Sequence, residues 1–235
     1  NATTSKGSFN YAYVSERKAT PALYLYALMN KDWDIVKEED LKYDDETLKQ
    51  ANWRNKILME ESNQNAIYVA YRALNLPIEV LKEEVYVTYI DKEADTNLEI
   101  GDQILAADGK EIQTRKELLS LIRAKKDGEK VTFTVLADGK EEEKYGVIQT
   151  IQGISLIGVS NSSLKQLKTD PEIEILTSRS ESGPSGGLML TLTIYDLLTE
   201  EDLTKGYKIV GTGTIDEDGT VGEIGGIDYK IKGAV

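Results

Sequence analysis

The sequence of 235 residues contains no cysteine and no histidine. The first absence excludes a disulfide framework, a cysteine nucleophile and a thiolate zinc site, and the second excludes a zinc site with histidine ligands. The one large or two modest domains that this length allows must therefore each bury an apolar core. A Ser-His-Asp triad is also impossible, so a hydrolase of this sequence must use Lys, Asp or Glu as its base, or metal–carboxylate chemistry.

The chain is strongly acidic, with 28 Lys and Arg residues against 41 Asp and Glu residues and a formal net charge of −13. This charge repels phosphate backbones, and there is no basic stripe interleaved with aromatic residues. Both features argue against a nucleic-acid partner. Charged residues make up 29% and hydrophobic residues 40% of the chain, which is typical of a globular protein. No apolar run approaches the roughly 18–20 residues that span a bilayer.

Local patterns predict a mixture of helices and strands. Aromatic residues at every second position over 8–14 predict a strand, and Thr20-Pro21 predicts an N-cap and the start of a helix over 22–29. A long helix is predicted over 44–75, halted by Pro77. In the middle of the chain, the patterns predict a strand at 85–90, turns at Asp108-Gly109 and Asp138-Gly139, and a helix opened by Thr114 and Glu117 at capping-box spacing. Toward the end, they predict a strand at 173–176, a helix at 188–198, a strand at 208–215 and a helix from Ile227.

The first candidate for chemistry is Ser185, within Gly183-Pro184-Ser185-Gly186-Gly187 and directly before an apolar helix. Small flanking residues allow a substrate backbone to approach, and the N–H groups at a helix N-terminus can hold the oxyanion that forms when a serine attacks a carbonyl. Taken alone, the same string is typical of a loop in which Ser185 is only an N-cap.

The second candidate is Lys230, one turn into the helix that follows Gly225-Gly226, with Ile227 and Ile231 beside it. A lysine amine becomes a useful base only when burial lowers its pKa toward neutral, and an apolar wall formed by the two isoleucines would provide that burial. Taken alone, Lys230 is more typical of an ordinary solvated lysine, because lysines are overwhelmingly exposed.

Taken together, the two candidates resemble the proteolytic domain of the Lon family of serine peptidases. That family has a Gly-Pro-Ser-small-Gly nucleophile motif, a later Thr-Gly on a strand, and Gly-Gly-hydrophobic-x-x-Lys. The resemblance implies that Ser185 is the nucleophile, that Lys230 is the general base and that Thr212 helps to orient the lysine, with Gly186 in a supporting position. It also implies that neither a cofactor nor a metal is needed.

The middle of the chain resembles a PDZ domain of the bacterial type. Gly101-Asp102-Gln103-Ile104-Leu105 followed by the Asp108-Gly109 turn carries the resemblance, together with the helix and hairpin that come next. PDZ domains capture extended peptides by adding a strand at a sheet edge. The resemblance implies that 85–90 is the peptide-binding edge and 116–125 the helix across the groove. The groove residues that it implies are Val85, Tyr86, Val87 and Thr88.

The combination resembles the ATP-independent Lon-like peptidases of Gram-positive bacteria, which carry a PDZ domain inside the peptidase domain. Residues 8–29 and 59–71 also look like that group. The implied fold is a Lon-type α/β (α+β) domain, formed by 1–82 and 149–235 and split by a PDZ domain, a small β-sandwich or barrel with helices, at 83–148. The implied location is the outer face of the membrane, with the parent protein anchored by an N-terminal helix absent from this sequence. The resemblance leaves open whether the protein forms an oligomer.

The sequence departs from the Lon-family pattern at three places. Ser182 stands where ATP-dependent members usually have an acidic residue, and Gly186 stands where Ala is commoner. Val235 ends the sequence five residues after Lys230, whereas family members continue through another strand and helix, so the C-terminal end of the peptidase domain is expected to be truncated.

The leading prediction is a serine endopeptidase that cleaves peptides or unfolded protein segments without ATP, because the two Gly-Lys pairs of the sequence do not match a phosphate-binding loop. The PDZ domain would then select or position the substrate. The alternative is a PDZ peptide-binding adaptor on a catalytically inactive peptidase scaffold. A metal–carboxylate site would have to use acidic clusters such as Asp216-Glu217-Asp218, which lack the spacing of a calcium loop and are typical of a solvated turn.

Overall fold

The computed structural model of the protein describes residues 5–43, 46–178 and 181–234. In chain order, the elements are strand β1 (Ser8–Tyr11), helix α1 (Pro21–Met29), one turn of 3-10 helix (Glu38–Leu41), helix α2 (Leu48–Ala73), strands β2 (Ile78–Ile90), β3 (Gln103–Ala107) and β4 (Lys110–Glu111), helix α3 (Arg115–Arg123), strands β5 (Lys130–Ala137), β6 (Lys140–Val147), β7 (Gln149–Ile151), β8 (Ile154–Leu156) and β9 (Val159–Thr169), helix α4 (Gly187–Leu198), strand β10 (Lys208–Gly211) and helix α5 (Ile227–Ala234). The predicted mixed α+β class is confirmed. Within the described ranges, no helix is both long enough and apolar enough to cross a bilayer.

The largest sheet is antiparallel and has the strand order β6-β5-β3-β2-β9, with β4 paired to β3. The hairpin predicted at Asp138-Gly139 joins β5 to β6, and the turn predicted at Asp108-Gly109 joins β3 to β4. Both turn residues have positive φ at each site, the conformation that two-residue hairpin turns require and that Asp-Gly adopts readily. Turn chemistry therefore fixes the register of the β3–β4 and β5–β6 hairpins.

An apolar core lies between this sheet and α3. The helix begins at its cap Thr114, whose hydroxyl accepts a hydrogen bond from the backbone N–H of Glu117, and it buries Leu118 and Ile122. The buried cluster also extends past residue 148, because Ile157 belongs to it. Its members are Val85, Val87, Leu98, Ile104, Ala107, Ile112, Leu118, Ile122, Val131, Phe133, Val135, Ile148 and Ile157.

The Gly-Asp pair at 101–102 has a structural role in this unit. Gly101 has φ of 106°, a conformation that other residues rarely adopt, and Asp102 behind it is 3% exposed. Both oxygens of Asp102 accept hydrogen bonds from the buried Lys144 ammonium, at 3.0 and 2.9 Å. Burial alone would lower the pKa of Lys144, but the hydrogen bond and charge of Asp102 outweigh it and raise that pKa. The carboxylate therefore ties the residue before β3 to β6, across the intervening β5, through a paired buried charge.

Helices α1 and α2 begin at caps. Thr20 caps α1 and Pro21 is its first residue, as predicted. The predicted start of α2 at Asp44 lies outside the described residues. The described helix starts after Thr47, whose side chain forms a capping box with Gln50, and a capping box satisfies N–H groups that the first turn leaves unpaired. Helix α1 buries none of its residues.

A second unit forms where α2 packs against α4 around Ala66, Ala70, Tyr71, Ile194 and Ile215. Beside it, β1 pairs in parallel with β10, from Ser8 opposite Lys208 to Tyr11 opposite Gly211. Such pairing of the first strand with one after residue 149 was expected if the two ends of the chain form one domain. The split itself remains a prediction.

Two predicted strands differ from the structure. Residues 173–176 form no strand, and Ile173 and Ile175 instead pack against the α2–α4 cluster as an extended segment. Strand β10 ends at Gly211 rather than at residue 215. The reason is that Gly213 directs its backbone groups to the turn before α4, where it donates to the Ser185 carbonyl and accepts from Leu188.

Candidate functional site

Ser185 lies in the turn that immediately precedes α4. Its carbonyl oxygen accepts two hydrogen bonds, from the backbone N–H of Gly213 at 2.9 Å and from the hydroxyl of Thr212 at 3.1 Å. Among the hydrogen bonds that we identify in the described residues, none uses the N–H of Ser185 or Gly186 as donor. The turn is therefore fixed through its carbonyl, while two N–H groups beside the hydroxyl are available to a ligand.

Helix α2 supports the same turn from the other side. The Ser62 hydroxyl donates to the Pro184 carbonyl at 2.9 Å, and the Gly183 N–H donates to the Asn55 carbonyl at 2.9 Å. Gly187 allows this close packing, because a Cβ there would overlap the Ser62 oxygen and lie 2.8 Å from a methyl carbon of Ile215. The small residues of the motif thus permit α2 and α4 to meet at the turn.

Lys230 lies on α5 and is 6% exposed. Its Nζ is 2.8 Å from the Ser185 hydroxyl oxygen and 3.4 Å from the Thr212 hydroxyl oxygen. Burial lowers the pKa of this lysine below its ordinary value. The structure therefore brings together the three predicted residues, which lie at 185, 212 and 230 in the sequence.

Gly186, the fourth predicted residue of this site, is packed against an aromatic ring. A Cβ at Gly186 would lie 3.6 Å from ring atoms of Tyr11 on β1. Burial, reinforced by the charge of Glu181 and a hydrogen bond to it, raises the pKa of Tyr11. The first strand therefore forms one wall of the Ser185 turn.

The apolar wall predicted around Lys230 is wrong in its composition. Ile227 and Ile231 are 46% and 56% exposed, so they do not cover the lysine. Helix α5 directs Lys230 inward and the two isoleucines outward, because the amine of Lys230 contacts the hydroxyl groups of Ser185 and Thr212.

The acidic cluster considered for a metal forms a turn. Asp216 and Thr220 are joined by a backbone hydrogen bond, Asp218 accepts from the N–H of Thr220, and Glu217 pairs with Lys165 at 2.8 Å. Within the described parts of the chain, no group of three or more acidic residues is arranged to hold a metal ion.

The predicted peptide edge at Val85, Tyr86, Val87 and Thr88 is not open. These residues lie on β2, in the interior of the sheet, where β9 pairs along one side and β3 along the other. A ligand strand would have to displace one of these neighbours, so the assignment of the groove to 85–88 is wrong. The reason is that β9, which the sequence analysis did not predict, occupies the edge.

A cleft of about 120 Å³ lies instead between α3 and residues 154–161. Leu118 and Ile122 line its helix side, as the prediction of a helix across the groove implies, and Val159 and Asn161 of β9 line its strand side. Since β9 ends the strand order among the described strands, one of its edges has no strand partner. The geometry therefore places the strand edge beside this cleft on β9.

The sequence did not predict the contacts that two residues of α2 make, although Ser62 lies within the 59–71 segment of the family resemblance. Glu61 accepts from the Ser163 N–H at 3.0 Å, and the buried Ser62 holds Pro184. Polar residues in a helix usually face solvent, and no local pattern distinguishes these two. Their roles depend on β9 and the Ser185 turn, which are 102 and 122 positions away.

Comparison with known proteins identifies one part of the chain. The PDZ domain family model matches residues 61–144. No curated protein matches the chain. Among solved structures, the PDZ domains of the SdrC-like proteins of Listeria innocua and Listeria monocytogenes are each 26% identical. They cover 33% and 35% of this chain and 92% of their own chains, with TM-scores of 0.32 and 0.33.

A solution structure from Geobacillus thermodenitrificans is 31% identical and covers 30% of this chain and 84% of its own, with a TM-score of 0.28. These scores lie below 0.5, so the assignment depends on the family model and its agreement with the predicted motif. The chain therefore contains a PDZ domain.

Proposed function

We propose that this protein is an ATP-independent serine endopeptidase of the Lon-like type, in which Ser185 and Lys230 form a catalytic dyad. The observation that carries the proposal is the 2.8 Å contact between the Ser185 hydroxyl and the amine of a buried lysine. A serine and a base within hydrogen-bond reach, with the base oriented by a third group, are the arrangement that nucleophilic catalysis needs. Thr212 is that third group, since its hydroxyl contacts Nζ and donates to the Ser185 carbonyl.

The chemistry follows from the protonation state of Lys230. The neutral amine takes the proton of the Ser185 hydroxyl while Oγ attacks the peptide carbonyl carbon, and the oxyanion forms beside the N–H groups of Ser185 and Gly186. The protonated amine then gives its proton to the leaving nitrogen as the C–N bond breaks. Water, deprotonated by the neutral amine, releases the acyl group and restores the serine.

The PDZ domain supplies the second half of the proposal, which is capture of a peptide by strand addition. The cleft between α3 and β9 offers a strand edge with apolar side chains opposite it, the two features that such recognition uses. The substrates are then peptides or unfolded segments. A position at the outer face of a Gram-positive membrane belongs to the same proposal and follows from the resemblance.

The dyad is tested by cleavage of a fluorescein-labelled, unfolded casein. Ser185→Ala is expected to abolish cleavage, whereas Ser182→Ala, which changes an exposed serine three positions earlier, is expected to leave it intact. Cleavage by Ser185→Ala at the rate of the parent would refute the dyad.

The alternative, a peptide-binding adaptor, is favoured by the PDZ match taken alone. The two functions differ in the reactivity of Ser185. A serine-directed phosphonate labels Ser185 in a peptidase, and it leaves an adaptor unlabelled while peptide binding persists.

A further inference from the structure

The free edge of β9 is short because α2 covers part of it. Ser163 and Lys165 donate their backbone N–H groups to the side chains of Glu61 and Gln64, at 3.0 and 2.5 Å. Backbone groups alternate along a strand, so Val159 and Asn161 direct theirs to the same side. Gly158, the residue before β9, agrees with this alternation, because its carbonyl points the opposite way and accepts from the N–H of Asp91, the residue after β2.

A bridge of side chains marks the point where the edge closes. Arg115, the first residue of α3, donates to the Asn161 side chain at 2.9 Å and pairs with Glu61 at 3.4 Å. The side chain of Glu61 is only 14% exposed, so its position is fixed by its neighbours. At the other end of the cleft, the Ser155 hydroxyl donates to the Lys125 carbonyl, which ties β8 to the end of α3.

We infer that Glu61 and Gln64 limit the peptide groove to a ligand segment of about four residues. Val159 to Ser163 spans four residue steps, or about 14 Å at roughly 3.4 Å per residue. A longer extended chain meets Glu61, whose carboxylate already accepts the hydrogen bond of the Ser163 N–H. A bound chain that continues past Glu61 must leave the strand edge there, so the additional residues gain no backbone hydrogen bonds from β9. This inference rests on the proposed peptide binding at β9.

The test measures binding to the whole chain carrying Ser185→Ala, so that no peptide is cleaved. The probes are the tightest-binding labelled tetrapeptide from a degenerate library with free carboxylates, and the same tetrapeptide extended by five N-terminal serines. The two are expected to bind within about twofold of each other, because the extension finds no free N–H beyond Asn161.

Removing the side-chain caps is expected to open the edge. The Glu61→Ala, Gln64→Ala double variant frees two N–H groups, so the extended peptide should gain about tenfold in affinity while the tetrapeptide is unchanged. The unchanged tetrapeptide affinity also reports that the groove is still folded. Glu79→Ala removes an exposed carboxylate of β2 that does not touch β9's open edge, and it should alter neither affinity.

The outcomes separate the inference from the function beneath it. Extended peptides that bind the parent groove more than tenfold better than the tetrapeptide would overturn the length limit while leaving peptide binding in place. No gain in the double variant would overturn the role of Glu61 and Gln64. Failure of every tetrapeptide to bind would overturn both the peptide groove and the limit.

Discussion

The PDZ unit and the Ser185 region are stabilised in different ways. The PDZ unit has a continuous buried core that includes Phe133, Leu118 and the inward residues of β5. The Ser185 region has a smaller buried cluster, and outside the PDZ unit apolar residues such as Leu28 of α1 and Ile231 of α5 face outward. Its site is held instead by single hydrogen bonds and by close approaches at glycines, as between Gly187 and Ser62.

This difference explains why one region has a sequence pattern that is easy to recognise and the other does not. A core built from alternating apolar residues and Asp-Gly turns leaves a pattern that a family model matches, and the match falls on residues 61–144. A site built from one serine, one lysine and several glycines leaves few characteristic residues. Burial of apolar side chains therefore stabilises the PDZ unit. In the Ser185 region, single hydrogen bonds and close contacts at glycines hold the site residues in position.

Truncation of a leucine gives the largest expected contrast between the regions. Leu118→Ala in α3 removes a side chain that is 1% exposed and should lower the free energy of unfolding by about 2–5 kcal/mol. Leu28→Ala in α1, where the leucine is 62% exposed, should lower it by less than about 0.5 kcal/mol. Urea unfolding of both variants measures the difference, and equal losses would mean that the two regions do not differ in this way.

Adding a methyl group tests the glycine contacts of the Ser185 region. Gly187→Ala places a carbon against Ser62 and Ile215 and should cost about 1–3 kcal/mol of stability, because such packing leaves no room without a backbone shift. Any cleavage activity should fall with it, since Ser62 also holds Pro184.

The matched control is Gly225→Ala, where nothing lies within 4 Å of the added carbon. Thermal unfolding and a cleavage assay should find this variant close to the parent. A Gly187→Ala protein as stable as Gly225→Ala would show that α2 and α4 can separate freely at the turn.

The pH dependence of cleavage tests Lys230 with a smaller effect. Burial lowers the pKa of Lys230, and only the neutral amine can accept the serine proton. The rate should therefore rise with pH, about tenfold per unit below that pKa, and level off before the ordinary lysine value of about 10.4. Lys230→Arg should be inactive because guanidinium does not deprotonate, whereas the exposed Lys232→Arg should keep the profile. A flat profile across this range would contradict a lysine base.

Helix caps and turn residues, which are local sequence signals, made much of the fold predictable. Thr20-Pro21, Thr114 and the two Asp-Gly turns each define a cap or a turn within a few residues, and the structure has all of them. The juxtaposition of Ser185, Thr212 and Lys230 was predicted through a family resemblance, since no periodicity relates positions so far apart.

What could not be predicted depends on distant partners. The strand β9 contains serines, lysines and a glutamine in place of a clear apolar alternation, and it forms because β2 pairs with it along its length. Without β9, the sequence left β2 as an apparent edge and assigned the groove to the wrong strand. The outward isoleucines of α5 were misjudged for a related reason, because a hydroxyl pair rather than an apolar wall receives Lys230.

The pairing of β2 with β9 has a consequence for protein engineering. The two strands run together from Ile78 opposite Thr169 to Ile90 opposite Val159, so they belong to the PDZ sheet at one end and reach the α2–α4 unit at the other. A chimera that exchanged PDZ modules at residues 83 and 146 would build β2 from two different proteins while keeping β9 from one, so the native pairing of 83–90 with β9 would be lost. Exchange of specificity between such proteins therefore requires grafting both strands, joined at the base of the ribbon where Ile78 meets Thr169.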